Sequence, residues 1–143
     1  MLRRLDIRYG VSFLFTPLFA IFYIAIFKQT YVNIHTVLSD YWSLFFLIFF
    51  YPFFEELAFR GLIQGYISRK TNHYTFNSVL SLANIITSIL FASIHFVHHH
   101  PVLAALTFFP SLLLGYFKEH YQNVIPSILL HMYYNIWSLL LII

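Results

Sequence analysis

Cysteine is absent from this chain of 143 residues, and charged residues are scarce, at 9% of the total. Without cysteine the chain can form no disulfide, no thiolate metal site and no cysteine nucleophile. So few charges cannot cover the surface of a water-soluble globule of this size, which excludes a soluble enzyme or binding domain. The net charge of +3 is modest and no nucleic-acid motif stands out, so nucleic acid is not an expected partner.

Apolar residues make up 60% of the chain, and the mean hydropathy is +0.76. They fall into five segments, each near the roughly 20 residues that a membrane-spanning helix needs. The segments lie at about 9–27, 41–68, 76–97, 101–117 and 124–143. Short polar breaks separate them, and there is no internal repeat or long linker. The sequence therefore predicts an all-α, polytopic transmembrane bundle of about five helices that forms a single domain over residues 1–143.

Basic residues near the ends of these segments predict the orientation of the bundle. Only Lys28 falls on one side of the membrane, whereas six basic residues fall on the other: Arg3, Arg4, Arg8, Arg69, Lys70 and Lys118. Because Lys and Arg are enriched in cytoplasmic loops, we expect a cytoplasmic N-terminus.

The second apolar segment contains three charged residues, Glu55, Glu56 and Arg60. Each bare ion at mid-membrane costs roughly 3 kcal/mol on insertion scales, so charges kept at that depth usually serve a function. Glu56 and Arg60 are four residues apart on one helix face, where they can form an ion pair. Glu55 is turned about 100° away from them and needs another partner, which makes it the natural general base. The alternative is that all three charges form a structural clasp between helices.

Two later segments each place polar side chains at the same spacing of four residues. Phe91 and His95 share a face of the third segment, and His131 and Asn135 share a face of the fifth. Beside Glu55, His95 can help deprotonate a nucleophilic water or can ligate a metal, although a lone intramembrane histidine is often only a hydrogen-bonded core residue. His131 and Asn135 offer two donors to a developing oxyanion, or form an interhelical polar clamp.

Two further patterns invite a functional interpretation. Three adjacent histidines, at 98–100, precede Pro101. Neighbouring loop residues cannot all point the same way, so a metal site there is not favoured. The phenylalanines between Phe45 and Phe54 are expected to face lipid or to pack, with a few lining a groove for an apolar substrate.

In this order on three helices, these residues resemble the CPBP family of intramembrane proteases, which includes the type II CAAX prenyl endopeptidases. The resemblance is most specific from Phe53 to Gly61 and from Leu114 through His131, and it covers about residues 41–140. It implies that a water-activating pair, an oxyanion-binding pair and a supporting group make up the site. These are, in turn, Glu55 with His95, His131 with Asn135, and Glu56 with Arg60, to which Phe91 is added as a supporting residue.

The function implied by the resemblance is that of an intramembrane endopeptidase in a bacterial or archaeal plasma membrane. It would hydrolyse a peptide bond near the C-terminus of a membrane-embedded, lipidated or exported protein. The chain is shorter than many members, which puts classical CAAX processing in doubt and draws attention to compact bacterial members associated with sorting signals. A glutamate mechanism without a cofactor is favoured over a zinc mechanism, because no compact ligand spacing such as H-E-x-x-H is present.

Two other functions use the same polar groups. One is a non-catalytic membrane immunity or partner-binding protein, in which the groups only bind. The other is a small transporter or proton relay, which ranks last because the chain has no repeat symmetry.

Overall fold

The structure, a computed structural model, describes residues 7–19, 21, 39–76 and 79–142, with the backbone alone for 140–142. Over these residues the chain is a bundle of helices with no strand. The helices are α1 (Ile7–Ser12), α2 (Tyr41–Lys70), α3 (Leu82–His95), α4 (Pro101–Tyr121) and α5 (Ile125–Ile142). The prediction of an all-α bundle of about five helices is confirmed.

Two of the described helices, α2 and α4, are long and apolar enough to cross a membrane. Only 11% of the most apolar stretch of α2 is buried inside the bundle, so its apolar side chains face outward, where lipid would cover them. The phenylalanines between Phe45 and Phe54 follow this pattern: Phe45, Phe49 and Phe54 are each about half exposed. A membrane protein is the class that this arrangement fits.

The ends of the helices differ from the predicted segments by a few residues, and two of these differences concern the first and third segments. The first segment, 9–27, can be compared only over 9–19 and at 21, where α1 is followed by a second helical stretch at 15–19; residues 20 and 22–27 lie outside the described part. The third helix begins at Leu82 rather than at 76. Ser81 caps it by accepting a hydrogen bond from the Asn84 amide at 2.9 Å, and Ser81 also forms an antiparallel bridge with Thr75.

Two irregular regions are explained by local sequence. Helix α4 consists of Pro101–Leu106 and Phe108–Tyr121 joined at Thr107. Pro110 has no N–H to donate to the carbonyl of Leu106, which loosens the turn at this point. Helix α2 contains two π-helical stretches, Phe46–Phe50 and Leu57–Ile63, on either side of Glu55 and Glu56. Such wide turns are frequent at functional sites.

Helix α4 is the centre of the bundle. Its Leu114 and Phe117 are buried with Tyr9 of α1 and Leu130 and Tyr134 of α5, in one apolar core. On its other side, Gly115 approaches α3 so closely that a Cβ there would overlap the Asn84 side-chain amide. A glycine is therefore required at this contact between α3 and α4.

A line of buried polar contacts joins α2 to α3 and α4, and we call it the polar seam. Arg60 donates to the Ser111 hydroxyl at 2.8 Å. One turn further along α2, the Gln64 amide donates to the Gly115 carbonyl at 3.1 Å and to Glu119 Oε1 at 2.8 Å. Ser81 also donates to Glu119, at 2.6 Å. Because these polar groups pair with one another between helices, the seam fixes the register of α2 against its neighbours.

Candidate active site

A cavity of about 680 Å³ lies between the helices. Its walls are mostly apolar, with a few polar groups that converge on it, as is typical of ligand sites. Five of the residues singled out in the sequence line it: Glu55, Phe91, His95, His131 and Asn135. They come from α2, α3 and α5, so residues up to 80 positions apart in the chain share one chamber. The other two, Glu56 and Arg60, lie just behind its wall.

Glu56 and Arg60 form the ion pair expected from their spacing. The Arg60 Nε lies 3.2 Å from Glu56 Oε2, and both side chains are fully buried. Arg60 also reaches Ser111 and stacks over the Phe91 ring, with its Cζ 5.1 Å from the ring centroid. Each buried charge is therefore paired, which is the condition under which proteins retain charges away from water.

His131 lies between the two glutamates. Its Nδ1 is 3.0 Å from Glu56 Oε1, and its Nε2 is 3.7 Å from Glu55 Oε2. The Glu56 carboxylate, paired with a guanidinium, can only accept a hydrogen bond, so His131 Nδ1 carries a proton and donates it. A neutral imidazole would then turn the bare lone pair of Nε2 toward the Glu55 carboxylate, which is unfavourable.

A proton between Glu55 and His131 removes this conflict. Counting this shared proton, the two carboxylates, the guanidinium and the imidazole together carry no net charge. Neutral clusters are strongly preferred where water is scarce. The Glu55 side chain is 31% exposed to the cavity, so of the two carboxylates it is the one that can meet a bound molecule.

His95 is also held through its Nδ1, in this case by a backbone group. Its Nδ1 is 2.8 Å from the carbonyl oxygen of Phe91. A carbonyl accepts only, so Nδ1 is the donor and Nε2 keeps its lone pair. The Phe91 ring, 3% exposed, lies 4.6 Å from the His95 ring and 5.7 Å from the His131 ring. Phe91 thus separates and orients the two imidazoles, and supports Arg60 from its other face.

Asn135 contacts the first π-helical stretch of α2. Its Nδ2 donates to the carbonyl of Leu47 at 2.8 Å, which orients the side-chain amide. One N–H of the amide is used in this contact, and the second N–H and the amide oxygen remain. Since Asn135 and His131 are one turn apart on α5, both reach the cavity from the same side.

A model of the family described as type II CAAX prenyl endopeptidase Rce1-like matches residues 36–137, well over half of the chain. The chain belongs to this family. Neither the curated proteins nor the solved structures contain a significant match. Membership in this family of membrane proteases agrees with the resemblance seen in the sequence. The matched part includes every site residue described above, whereas α1 precedes it.

The sequence reasoning placed Glu55 beside His95, and the structure gives a different neighbour. The imidazole next to Glu55 is that of His131, and no described contact joins Glu55 to His95, although both line the cavity. His131 contacts the glutamates because α5 places it at the same depth in the bundle as Glu55 and Glu56. Helix lengths alone do not predict this relative depth. The catalytic roles of these residues are not tested by their positions and are taken up below.

Several residues of the site were not assigned to it from the sequence, including two of the three adjacent histidines at which a metal site was not favoured. His98 and His99 line the cavity, and the His99 ring stacks on that of His95 at 5.5 Å. Gln64 follows Glu56 and Arg60 at the same spacing of four, so periodicity would have identified it. Glu119 and the cavity wall from residues 15–19 carry no such signal, since both depend on how the helices pack.

The donor atoms around the cavity decide whether it can hold a metal ion. Within the described ranges, no group of three or more His, Asp or Glu side chains is arranged to hold one. Glu56 is bound by Arg60 and by His131 Nδ1, which leaves Glu55, His95 and His131 Nε2 as separate donors around the cavity. A stable zinc site needs three such protein ligands at about 2 Å from one ion, and the described residues offer no group arranged in that way.

Proposed function

We propose that this protein is an intramembrane endopeptidase in which Glu55 and His95 activate a water molecule for attack on a peptide bond. The observation that carries the proposal is that Glu55, His95, His131 and Asn135 line one largely apolar cavity. Lipid and protein exclude bulk water there, so a peptide carbonyl and a single water can be held together.

In the proposed reaction, the Glu55 carboxylate accepts a proton from the water as the water oxygen bonds to the carbonyl carbon. The lone pair on His95 Nε2 accepts the other hydrogen bond of that water and orients it. As the C–N bond breaks, Glu55 returns its proton to the leaving nitrogen. The second proton of the water stays on the oxygen of the new carboxyl group, so both protons are accounted for and the step needs no cofactor.

The negative charge that develops on the carbonyl oxygen requires donors. His131 supplies Nε2–H when it is an imidazolium, and Asn135 supplies its second N–H. Removing one such donor costs about 3 kcal/mol of transition-state stabilisation in known enzymes. The pair Glu56 and Arg60 would contribute indirectly, because Glu56 accepts from His131 Nδ1 and so holds the imidazole ring with Nε2 on the side of Glu55 and the cavity.

For substrate and setting we propose a membrane-embedded or lipidated polypeptide, cut near its C-terminus, and a cytoplasmic N-terminus of the enzyme in a plasma membrane. The apolar cavity wall and the outward-facing α2 support a substrate that arrives through the lipid. Prenylated C-terminal peptides and C-terminal sorting segments of exported proteins are the two classes to compare.

The test is cleavage of fluorescent peptides of both classes by purified protein in liposomes. We expect Glu55→Gln to lower kcat at least 1000-fold, since an amide cannot accept the proton of water, and His95→Ala to lower it about 100-fold. The matched control is Glu119→Gln, because the amide oxygen can still accept from Gln64 and Ser81. Glu119→Gln should cleave like the wild type.

Three outcomes would decide against this reaction. Cleavage retained by Glu55→Gln would exclude Glu55 as the base. Loss of cleavage on adding a chelator, restored by zinc, would replace the glutamate mechanism with a metal mechanism. If the wild type cleaves nothing and a biological effect persists in Glu55→Gln, the protein binds a partner through this cavity instead.

A further inference from the structure

One wall of the cavity comes from the N-terminal part of the chain. Phe15, Thr16 and Phe19 line it, opposite the family-matched segment that supplies the acidic and imidazole groups. The family model begins at residue 36, so it assigns nothing to this wall.

Three hydrogen bonds hold this part of the chain against the bundle. The Tyr9 hydroxyl donates to the Pro126 carbonyl at 2.7 Å, and Arg8 Nη1 donates to the Tyr116 hydroxyl at 3.1 Å. The Tyr134 hydroxyl donates to the Ser12 carbonyl at 2.9 Å. Because Tyr134 neighbours Asn135 on α5, the wall and the proposed oxyanion donor are fixed to the same turn of helix.

The Thr16 hydroxyl has no hydrogen-bond partner among the described residues, although Thr16 is only 8% exposed. A helical threonine ordinarily donates to the carbonyl four residues earlier. Here that carbonyl belongs to Ser12 and accepts from Tyr134 instead. Leaving a buried hydroxyl unpaired is costly, so such a group in a ligand cavity indicates a contact that the ligand completes.

The aromatic rings beside Thr16 define what else the wall can hold. Phe15 and Phe19 stack with an interplanar angle of 4° and ring centroids 6.5 Å apart. Two parallel rings one turn apart form a flat apolar surface, which suits an aliphatic or aromatic side chain rather than a charged one.

We propose that this wall is a substrate subsite: Thr16 hydrogen-bonds the substrate backbone, and Phe15 and Phe19 hold the adjoining apolar side chain. The inference rests on the proposed peptidase activity. It adds a specificity determinant supplied by the helical stretch at 15–19. Thr16 positions the peptide and takes no part in the proton transfers at Glu55.

The first test uses Thr16→Val, which keeps the shape of the side chain and removes the hydroxyl. Losing one neutral hydrogen bond should lower kcat/KM about tenfold on the peptide that the wild type cleaves. In the same assay, an ester replaces each peptide bond near the cleavage site in turn. At the position that Thr16 contacts, the ester should slow the wild type and have no added effect on Thr16→Val.

Thr87→Val is the matched control. The Thr87 hydroxyl is also buried and unpartnered within the described residues, but Thr87 does not line the cavity. Thr87→Val should leave kcat/KM unchanged. If Thr16→Val cleaves as fast as the wild type, or if every ester slows both proteins equally, the subsite is wrong while the peptidase proposal stands. Absence of cleavage by the wild type would remove both proposals.

The second test addresses the rings. Phe15→Ala and Phe19→Ala should shift preference toward substrates with larger apolar side chains, by about tenfold for each added methylene. Phe13→Ala controls for damage to the helix, because Phe13 packs on Tyr9 and Tyr133 and does not line the cavity. It should lower stability and leave the order of preferred substrates unchanged. An unchanged order in Phe15→Ala and Phe19→Ala as well would overturn the assignment of the rings.

Discussion

Replacing Arg60 with methionine removes a positive charge that is fully buried behind the cavity. Glu56 then keeps its charge with only His131 to balance it, and Ser111 and the Phe91 ring lose their cationic partner. Breaking a buried pair by removing one partner costs about 3–5 kcal/mol. We expect Arg60→Met to lower the free energy of unfolding by that amount. Most of the loss arises from the uncompensated carboxylate rather than from lost contacts.

The same charge balance predicts that a double variant is more stable than Arg60→Met alone. In Glu56→Gln with Arg60→Met both charges are removed, and the glutamine oxygen can still accept from His131 Nδ1. Replacing both members of a buried pair is often nearly neutral, so about 2 kcal/mol or more should be regained. The assay is chemical unfolding in mixed micelles, followed by far-UV circular dichroism. Arg69→Met, at an exposed position of α2, should stay within about 0.5 kcal/mol of the wild type.

Two results would refute the argument. A loss below about 1 kcal/mol in Arg60→Met would mean that water or lipid headgroups reach Glu56, contrary to its complete burial. A double variant no more stable than the single one would mean that packing, and not charge balance, sets the cost.

Two further substitutions test the packing and the site. Gly115→Ala should destabilise the bundle by about 1–3 kcal/mol in the same unfolding assay, because the new Cβ overlaps the Asn84 amide. The control is Gly65→Ala, whose Cβ would meet only Arg69 Nη1 at 3.8 Å. It should be neutral or slightly stabilising. Phe91→Leu should lower kcat about 10- to 100-fold with little change in KM, because it releases the two imidazoles from their orientations, whereas Phe96→Leu, at a half-exposed position, should not change kcat. Equal behaviour of the paired variants would contradict either prediction.

The parts of the site that were predictable from sequence lie within single helices. Glu56 and Arg60 pair because α2 carries them four residues apart, and the apolar length of α2 and α4 identifies them as spans. Such features follow from helical periodicity and from the thickness of a bilayer, which are known before any packing is considered.

The contacts that escaped prediction join different helices. Spacing cannot tell that His131, rather than His95, would lie beside Glu55, because that choice depends on the relative heights of α2 and α5. Glu119 lies at the end of an apolar segment, where it is easily taken for a solvated charge, yet it accepts from both Gln64 and Ser81. The start of α3 at Leu82 follows from the Ser81 cap, a signal present in the sequence but hidden by the apolar residues before it.

The Glu56 side chain contributes both to the stability of the bundle and to the proposed chemistry. One of its oxygens pairs with Arg60 and the other holds His131 Nδ1, so the same carboxylate neutralises the buried guanidinium and fixes the proton arrangement that faces Glu55. In the proposed reaction, the structural clasp of Glu56 and Arg60 and the catalytic role of Glu55 are therefore not alternatives. The clasp balances the buried charges beside which Glu55 would act as the base. A change that neutralises Glu56 while Arg60 keeps its charge should therefore disturb both the stability of the bundle and the charge balance around Glu55.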